Sequence, residues 1–219
     1  ELLRKGIESG RLRFTTSYEE VGAFADVHFI CVGTPQKKGE YAADLTYVDA
    51  AVSALAEVVR PGAVVAGKST VPSGTAARLA AQLEPAGANL VWNPEFLREG
   101  FAVEDTLRPD RIVVGSPVEW PVKVLSEVYA QILEAGTPML VTDFATAELV
   151  KVAANSFLAT KISFINAMAE VCEATGADVT QLSAALAYDE RIGGRFLNAG
   201  LGFGGGCLPK DIRAFMARA

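Results

Sequence analysis

The sequence predicts an α/β fold, a parallel β-sheet with flanking helices, followed by a long connecting helix and a small helical region. Three observations carry this reading. Short apolar, β-branched runs recur as far as Thr142, helical stretches separate them, and the pattern changes abruptly beyond that point. Strands buried on both faces read as near-continuous apolar runs. Strand-helix alternation at this spacing implies βαβ units and a sheet covered on both sides.

The elements follow in order. Glu1-Leu2-Leu3-Arg4-Lys5 is a charged helical segment and not a signal peptide. His28-Phe29-Ile30-Cys31-Val32 ends at Gly33-Thr34-Pro35 and reads as a buried strand. Ala63–Ala66, Leu90–Trp92, Arg111–Val114 and Met139–Val141 read the same way, with helices over Tyr47–Val59, Ser73–Leu83 and Trp120–Leu133. From Thr142 to about Glu173 no Gly or Pro occurs; Asp143 fits an N-cap, and Thr175-Gly176 supplies the stop. A helix of that length is expected to join two domains. Beyond it lie a helical stretch to about Ala187, a glycine-rich loop from Arg191 to Cys207, and a new helix from Pro209. The expected organisation is a sheet domain over 1–142, the connecting helix over 143–174, and the start of a second domain over 175–219. The chain has no initiator Met and stops inside a helical pattern, so it is expected to be a piece of a longer protein.

Composition narrows the function. Half the residues are apolar, ample for a packed core, and the net charge of −6 disfavours nonspecific nucleic-acid binding. No basic run argues otherwise. No apolar stretch approaches the roughly 20 residues that cross a bilayer, so no membrane partner is expected. Three cysteines with no pairing pattern suggest a reducing, cytoplasmic setting, and no metal site is read.

One motif is a decoy. Gly62-Ala63-Val64-Val65-Ala66-Gly67-Lys68-Ser69 satisfies the P-loop pattern letter for letter. A P-loop needs a phosphate-cradling turn there and a helix starting at the Lys. Here the intervening residues are a strand, and Pro72 biases Val71 away from helix.

Five segments can carry chemistry. Cys207 lies in Gly204-Gly205-Gly206-Cys207-Leu208-Pro209-Lys210-Asp211. Successive glycines let a ligand approach the backbone, and Pro209 places Cys207 just before a helix N-terminus. Amides and dipole there, with Lys210, favour a thiolate; Asp211 falls one turn on. The alternative is a turn with a small inert residue, which suits Cys31 and Cys172 better. Lys151 and Asn155 stand one helical turn apart, with Glu148 extending the stripe, as either a solvated face or an oxyanion site. In Asn93-Pro94-Glu95-Phe96-Leu97-Arg98-Glu99-Gly100, Asn93 can cap a helix starting at Pro94, with Glu95 and Glu99 on one face. That is either a well-capped helix or a carboxylate site. Gly33-Thr34-Pro35 and Lys68-Ser69-Thr70-Val71-Pro72 each follow a strand, where ligands of such sheets bind.

Together these segments resemble the UDP-glucose/GDP-mannose dehydrogenase family over essentially the whole chain. Arg191-Ile192-Gly193 and Phe196-Leu197-Asn198-Ala199-Gly200-Leu201-Gly202-Phe203-Gly204 look like the members acting on UDP-glucose. The resemblance implies a Rossmann-like domain, NAD as cofactor, and oxidation of the sugar C6 alcohol to UDP-glucuronate through a thioester on Cys207. Lys151 and Asp211 would then stabilise the oxyanion and handle protons, Asn155 would orient them, and Glu95 would assist hydrolysis with Thr70. Thr34, Thr70, Glu99 and Lys210 would touch NAD. Glu95, Phe96, Leu97, Arg98, Glu99, Lys151, Asn155, Phe196, Leu197, Asn198, Ala199, Gly200 and Gly204 would contact the nucleotide-sugar, and Arg191 would reach a neighbouring subunit's site in a homodimer. The family's opening G-x-G-x-x-G unit is not in this chain, and neither is its second nucleotide-binding domain, so the chain alone is expected to be inactive. The alternatives are the same chemistry on GDP-mannose or a UDP-N-acetylhexosamine, or a non-catalytic dimerisation module.

Overall fold

The computed structural model describes residues 1–218; the last residue of the expected second domain, Ala219, lies outside them. Two short helices, α1 (Leu2–Glu8) and α2 (Tyr18–Phe24), precede strand β1 (Val27–Ile30). The chain continues through α3 (Thr46–Ala56), β2 (Val64–Gly67), α4 (Thr75–Leu83), a 3₁₀ turn (Glu84–Ala86) and β3 (Asn89–Trp92). Then come α5 (Ala102–Leu107), β4 (Ile112–Gly115), α6 (Glu119–Val128), α7 (Ala130–Glu134) and β5 (Met139–Thr142). The long helix α8 (Phe144–Thr175), α9 (Val179–Ala187) and α10 (Leu208–Arg218) complete it.

All five expected strands form one sheet, in the order β1-β2-β3-β4-β5. Neighbours pair in parallel except β3 and β4, which meet antiparallel at Trp92 opposite Gly115. The all-parallel expectation therefore fails at one junction. A parallel neighbour needs a crossover, usually a helix laid over the sheet. The 93–111 connection carries only α5, six residues long, and the chain re-enters the sheet from the edge it left.

Helices cover both faces of the central strands, but the edge strand β5, expected to be buried like the others, exposes Leu140 and Val141 because it has a neighbour on one side only. Val65, Leu90 and Trp92 pack with residues of α3, α4 and α8, while Val64, Ala66 and Val91 pack with α6. Two glycines permit the closest approaches. A Cβ on Gly67 would lie 2.1 Å from the buried Trp92 ring, and one on Gly115 would lie 2.6 Å from the Ala147 methyl of α8. The segment that mimics a P-loop is strand β2, as its sequence implied.

Helix α8 is 32 residues long and begins and ends at the expected caps. Asp143 accepts from the Thr146 N–H, and Gly176 closes the helix in the left-handed region. Glu148, expected as part of a polar stripe, is buried; its carboxylate accepts from Gly74 N at 2.7 Å and Ala76 N at 2.6 Å. It caps α4 from outside, because the N-cap Gly74 has no side chain to do so.

Two helical expectations are corrected. The helix expected at Pro94 is absent, and residues 93–98 form a loop. Asn93 cannot cap it because its carboxamide is engaged elsewhere: Nδ2 donates to Val113 O at 2.8 Å, and Oδ1 accepts from Lys68 and Tyr129. Glu95 and Glu99 thus share no helix face. The stretch Trp120–Leu133 is broken at Tyr129 into α6 and α7, and the Tyr129 hydroxyl reaches Asn93 from that break.

Gly67→Ala should cost about 1–3 kcal/mol, the scale of overpacking a filled core, read as a lowered urea midpoint. An unchanged midpoint would show that Trp92 does not lie against this backbone.

Candidate active site

The C-terminal ends of β1, β2 and β3 lead into the loops that carry Thr34, Thr70 and the Glu95–Glu99 segment. Beyond β1, Gly33, Thr34 and Pro35 line an open cleft of about 920 Å³, with Tyr18, Tyr47 and Lys210 on its other walls. A Cβ on Gly33 would meet nothing within 4 Å, so this glycine leaves room for a ligand and not for packing. Thr34 is buried, and its hydroxyl donates to Thr70 O at 2.8 Å, tying the loop after β1 to the loop after β2. Ser69 reinforces the same junction by donating to Val32 O at 2.6 Å. Lys210 and Thr70 both line a second, smaller cavity with Asp211 and Glu148. The volume, the open glycine and the cation of Lys210 suit part of a dinucleotide.

The charged centre is built on one turn of α8. Lys151 is 6% exposed, and its ammonium lies 3.2 Å from Glu95 Oε1. The Phe96 ring lies below it, 5.5 Å from the ammonium to the ring centroid. Four residues on, Asn155 Nδ2 donates to Asp211 Oδ2 at 2.7 Å. Asp211 is 2% exposed, and its other oxygen accepts from Lys210 Nζ at 2.5 Å. A buried charge is costly unless paired, and here each has a partner. The turn therefore brings Glu95, Lys151, Asn155, Asp211 and Lys210 into one cluster.

Cys207 stands at the mouth of α10. Its carbonyl accepts from Asp211 N at 2.9 Å, the first bond of that helix, so it lies one turn before the buried Asp211. It is exposed, as the nucleophile reading requires. Cys172 is buried, as expected of an inert thiol. Cys31 departs from expectation: it falls beyond the end of β1 and is exposed, although desolvation of the sulfur pushes its pKa up against the opposing charge of Lys68.

Other expected residues are placed less directly. Arg98 is held by Asp105, with Nε at 2.9 Å from Oδ2, and Glu99 is exposed in the following turn. Leu97 is exposed, whereas Phe96 is half-buried with the Arg111 guanidinium 4.1 Å from its ring centroid. Arg191 is exposed and paired with its own neighbour Asp189. Phe196, Asn198, Ala199, Gly200 and Gly204 are exposed, but Leu197 is buried and its carbonyl accepts from Ser183.

Sequence reasoning missed a polar junction behind the cluster. Lys68 Nζ donates to Asn93 Oδ1 at 3.1 Å and to Tyr129 Oη at 3.2 Å, and the Tyr129 hydroxyl donates to Asn93 at 2.7 Å. Burial lowers the Lys68 pKa and pushes that of Tyr129 up to about 12. The junction pins the loop that delivers Glu95. Its only sequence signal was a Lys directly after an apolar strand.

With this geometry established, comparison with known proteins decides the family. Residues 1–133 match the NAD-binding domain, and residues 145–219 the central domain, of the UDP-glucose/GDP-mannose dehydrogenase family. The chain belongs to that family. Its dehydrogenase relatives include the UDP-glucose 6-dehydrogenase of Rickettsia typhi, 49% identical over 98% of this chain and 50% of that protein. The UDP-glucose 6-dehydrogenase YwqF of Bacillus subtilis is 44% identical over 99% of this chain and 49% of that protein. Among solved structures, a UDP-glucose dehydrogenase from Pyrobaculum islandicum superposes with a TM-score of 0.91 at 44% identity, over 98% of this chain and 51% of that one. The GDP-mannose dehydrogenase of Pseudomonas aeruginosa gives 0.79 at 30% identity, over 99% and 52%. The chain thus spans about half the length of the dehydrogenases it matches. No helix among its described residues is long and apolar enough to cross a membrane.

Limited alkylation followed by peptide mapping should modify Cys207 well before Cys172, with Cys31 between them. Equal labelling of all three would remove Cys207's special placement.

Proposed function

We propose that this chain is part of a longer NAD-dependent nucleotide-sugar 6-dehydrogenase that converts UDP-glucose to UDP-glucuronate through a thioester on Cys207. The observation that carries the reading is the pairing of Glu95 with Lys151 and of Asn155 with Asp211 on one turn of α8, with Cys207 one turn before Asp211 on α10. Residues 1–142 form the remainder of the NAD-binding domain, 143–174 the connecting helix, and 175–219 the start of the substrate and dimerisation domain. The relatives named as UDP-glucose 6-dehydrogenases favour UDP-glucose over GDP-mannose or a UDP-N-acetylhexosamine.

The bound cofactor supplies hydride acceptance, twice per product molecule. In the first oxidation, C6 loses a hydride and the hydroxyl loses a proton, leaving an aldehyde. The Cys207 thiolate then adds to C6; a C–S bond forms, and the carbonyl electron pair moves onto oxygen. The Lys151 ammonium stabilises that oxyanion, and Asp211, oriented by Asn155, handles the proton that makes it a thiohemiacetal. Loss of a second hydride from C6 and of the hydroxyl proton gives the thioester. Water guided by Glu95 and Thr70 adds to C6, the C–S bond breaks, the thiolate is restored and the carboxylate leaves. Covalent capture holds the aldehyde between the two oxidations.

Thr34, Thr70, Glu99 and Lys210 contact the cofactor in this account. Phe96 to Arg98, Phe196 to Gly200, and Gly204 line the nucleotide-sugar's path, and Arg191 reaches a neighbour in a homodimer. Three free cysteines suit a cytoplasmic enzyme.

The test is product formation by the full-length polypeptide against a panel of nucleotide-sugars. Two NADH per uronate from UDP-glucose are expected, with the isolated chain forming none. Cys207→Ser should reduce uronate formation by at least about a hundredfold, since a displaced nucleophile is costly to lose. Preferred oxidation of another sugar would redirect the substrate assignment, and full activity in Cys207→Ser would overturn the mechanism.

A further inference from the structure

Residues 188–207 contain no regular secondary structure, yet three side chains from two helices fasten their backbone. Lys161 Nζ on α8 donates to Ile192 O at 2.9 Å and to Gly193 O at 3.0 Å. Asn166 Oδ1, further along α8, accepts from Gly200 N at 2.8 Å. Ser183 on α9 donates to Leu197 O, and Leu197 as a residue is only 1% exposed. Between these fastenings Phe196 holds a φ of 66°, the one positive value among the non-glycine described residues. A bulky side chain in the left-handed region is strained and persists only when its surroundings over-determine it.

From this arrangement we infer that Lys161, supported by Asn166, is a positioning residue for substrate: it holds the 192–200 loop in the shape that receives the nucleotide end of the nucleotide-sugar. The inference rests on the reading in the preceding subsection. Helix geometry separates the two jobs. At 1.5 Å per residue, Lys161 lies about 9 Å along α8 from Asn155, and Asn166 about 17 Å. That is the scale on which a diphosphate separates a base from its sugar, so one helix sets the distance between the loop and the chemical turn. Lys161 suits the task because an ammonium donates to two carbonyls at once, and a charge-assisted bond is stronger than a neutral one. It touches none of Glu95, Lys151, Asn155, Asp211 or Cys207 in the hydrogen bonds and ion pairs of the described residues.

The experiment is steady-state kinetics of the full-length polypeptide with UDP-glucose varied at saturating NAD, and UDP as competitive inhibitor. Lys161→Met should raise KM, and the inhibition constant for UDP in parallel, by about tenfold or more, the scale of one hydrogen bond to a charged group, while kcat changes by less than about threefold. Lys161→Arg, which still donates to carbonyls, should recover most of that loss. Should Lys161→Met fail to fold, Asn166→Ala provides the same readout through the Gly200 amide. An unchanged KM in either folded variant, or equal losses in kcat and KM, would overturn the inference while leaving the enzyme assignment intact. A wild-type polypeptide that does not oxidise UDP-glucose would instead overturn the assignment, and this inference with it.

Discussion

Helix α8 runs for 32 residues without glycine or proline, and its fixed rise sets the spacing of nearly everything around it. Glu148 caps α4, Lys151 meets Glu95, Asn155 meets Asp211, Lys161 meets the 192–193 carbonyls and Asn166 meets Gly200. Four segments distant in sequence are thereby held in one register by a single rigid rod. Gly115 makes this possible at the base, because any side chain there would strike the rod at Ala147.

Burial gives the cluster its electrostatic logic. Lys151, Asp211 and Glu148 are all less than a tenth exposed, where an unpaired charge would cost several kcal/mol. Each accordingly has a charged or amide partner. Pairing fixes side-chain direction as well as charge: Glu95 is delivered by a loop with no helix of its own, and the Asn93–Lys68–Tyr129 junction anchors that loop two residues upstream. The dry side of this arrangement is the sheet and α8; the open side is the exposed Cys207.

Much of the framework was legible in the sequence because its signals are local. Apolar runs marked all five strands, and Asp143 with Gly176 marked both ends of α8. The Lys151–Asn155 spacing fixed a shared helix face without any knowledge of the fold. What escaped reading depends on partners far away in the chain. Asn93 looked like a cap until Lys68, Tyr129 and Val113 claimed its carboxamide. The antiparallel entry of β4 follows from the path of 93–111, which no periodicity encodes, and the capping role of Glu148 left no signal because its partners, Gly74 and Ala76, are backbone amides. The grouping of Lys151 and Asn155 with Asp211 came only through family resemblance, and the pairing of Lys151 with Glu95 was not read at all, since residues 56 positions apart carry no mutual signal.

The whole account turns on a sugar carbon becoming bonded to the sulfur of Cys207 beside this buried cluster. Peptide mass spectrometry on the full-length Glu95→Gln variant, quenched in acid after mixing with UDP-glucose and NAD, looks for that bond directly. The account predicts a UDP-glucuronyl adduct on the Cys207 peptide that hydroxylamine releases, accumulating because hydrolysis is slowed. A Cys207 peptide of unmodified mass while NADH and uronate continue to form would contradict it.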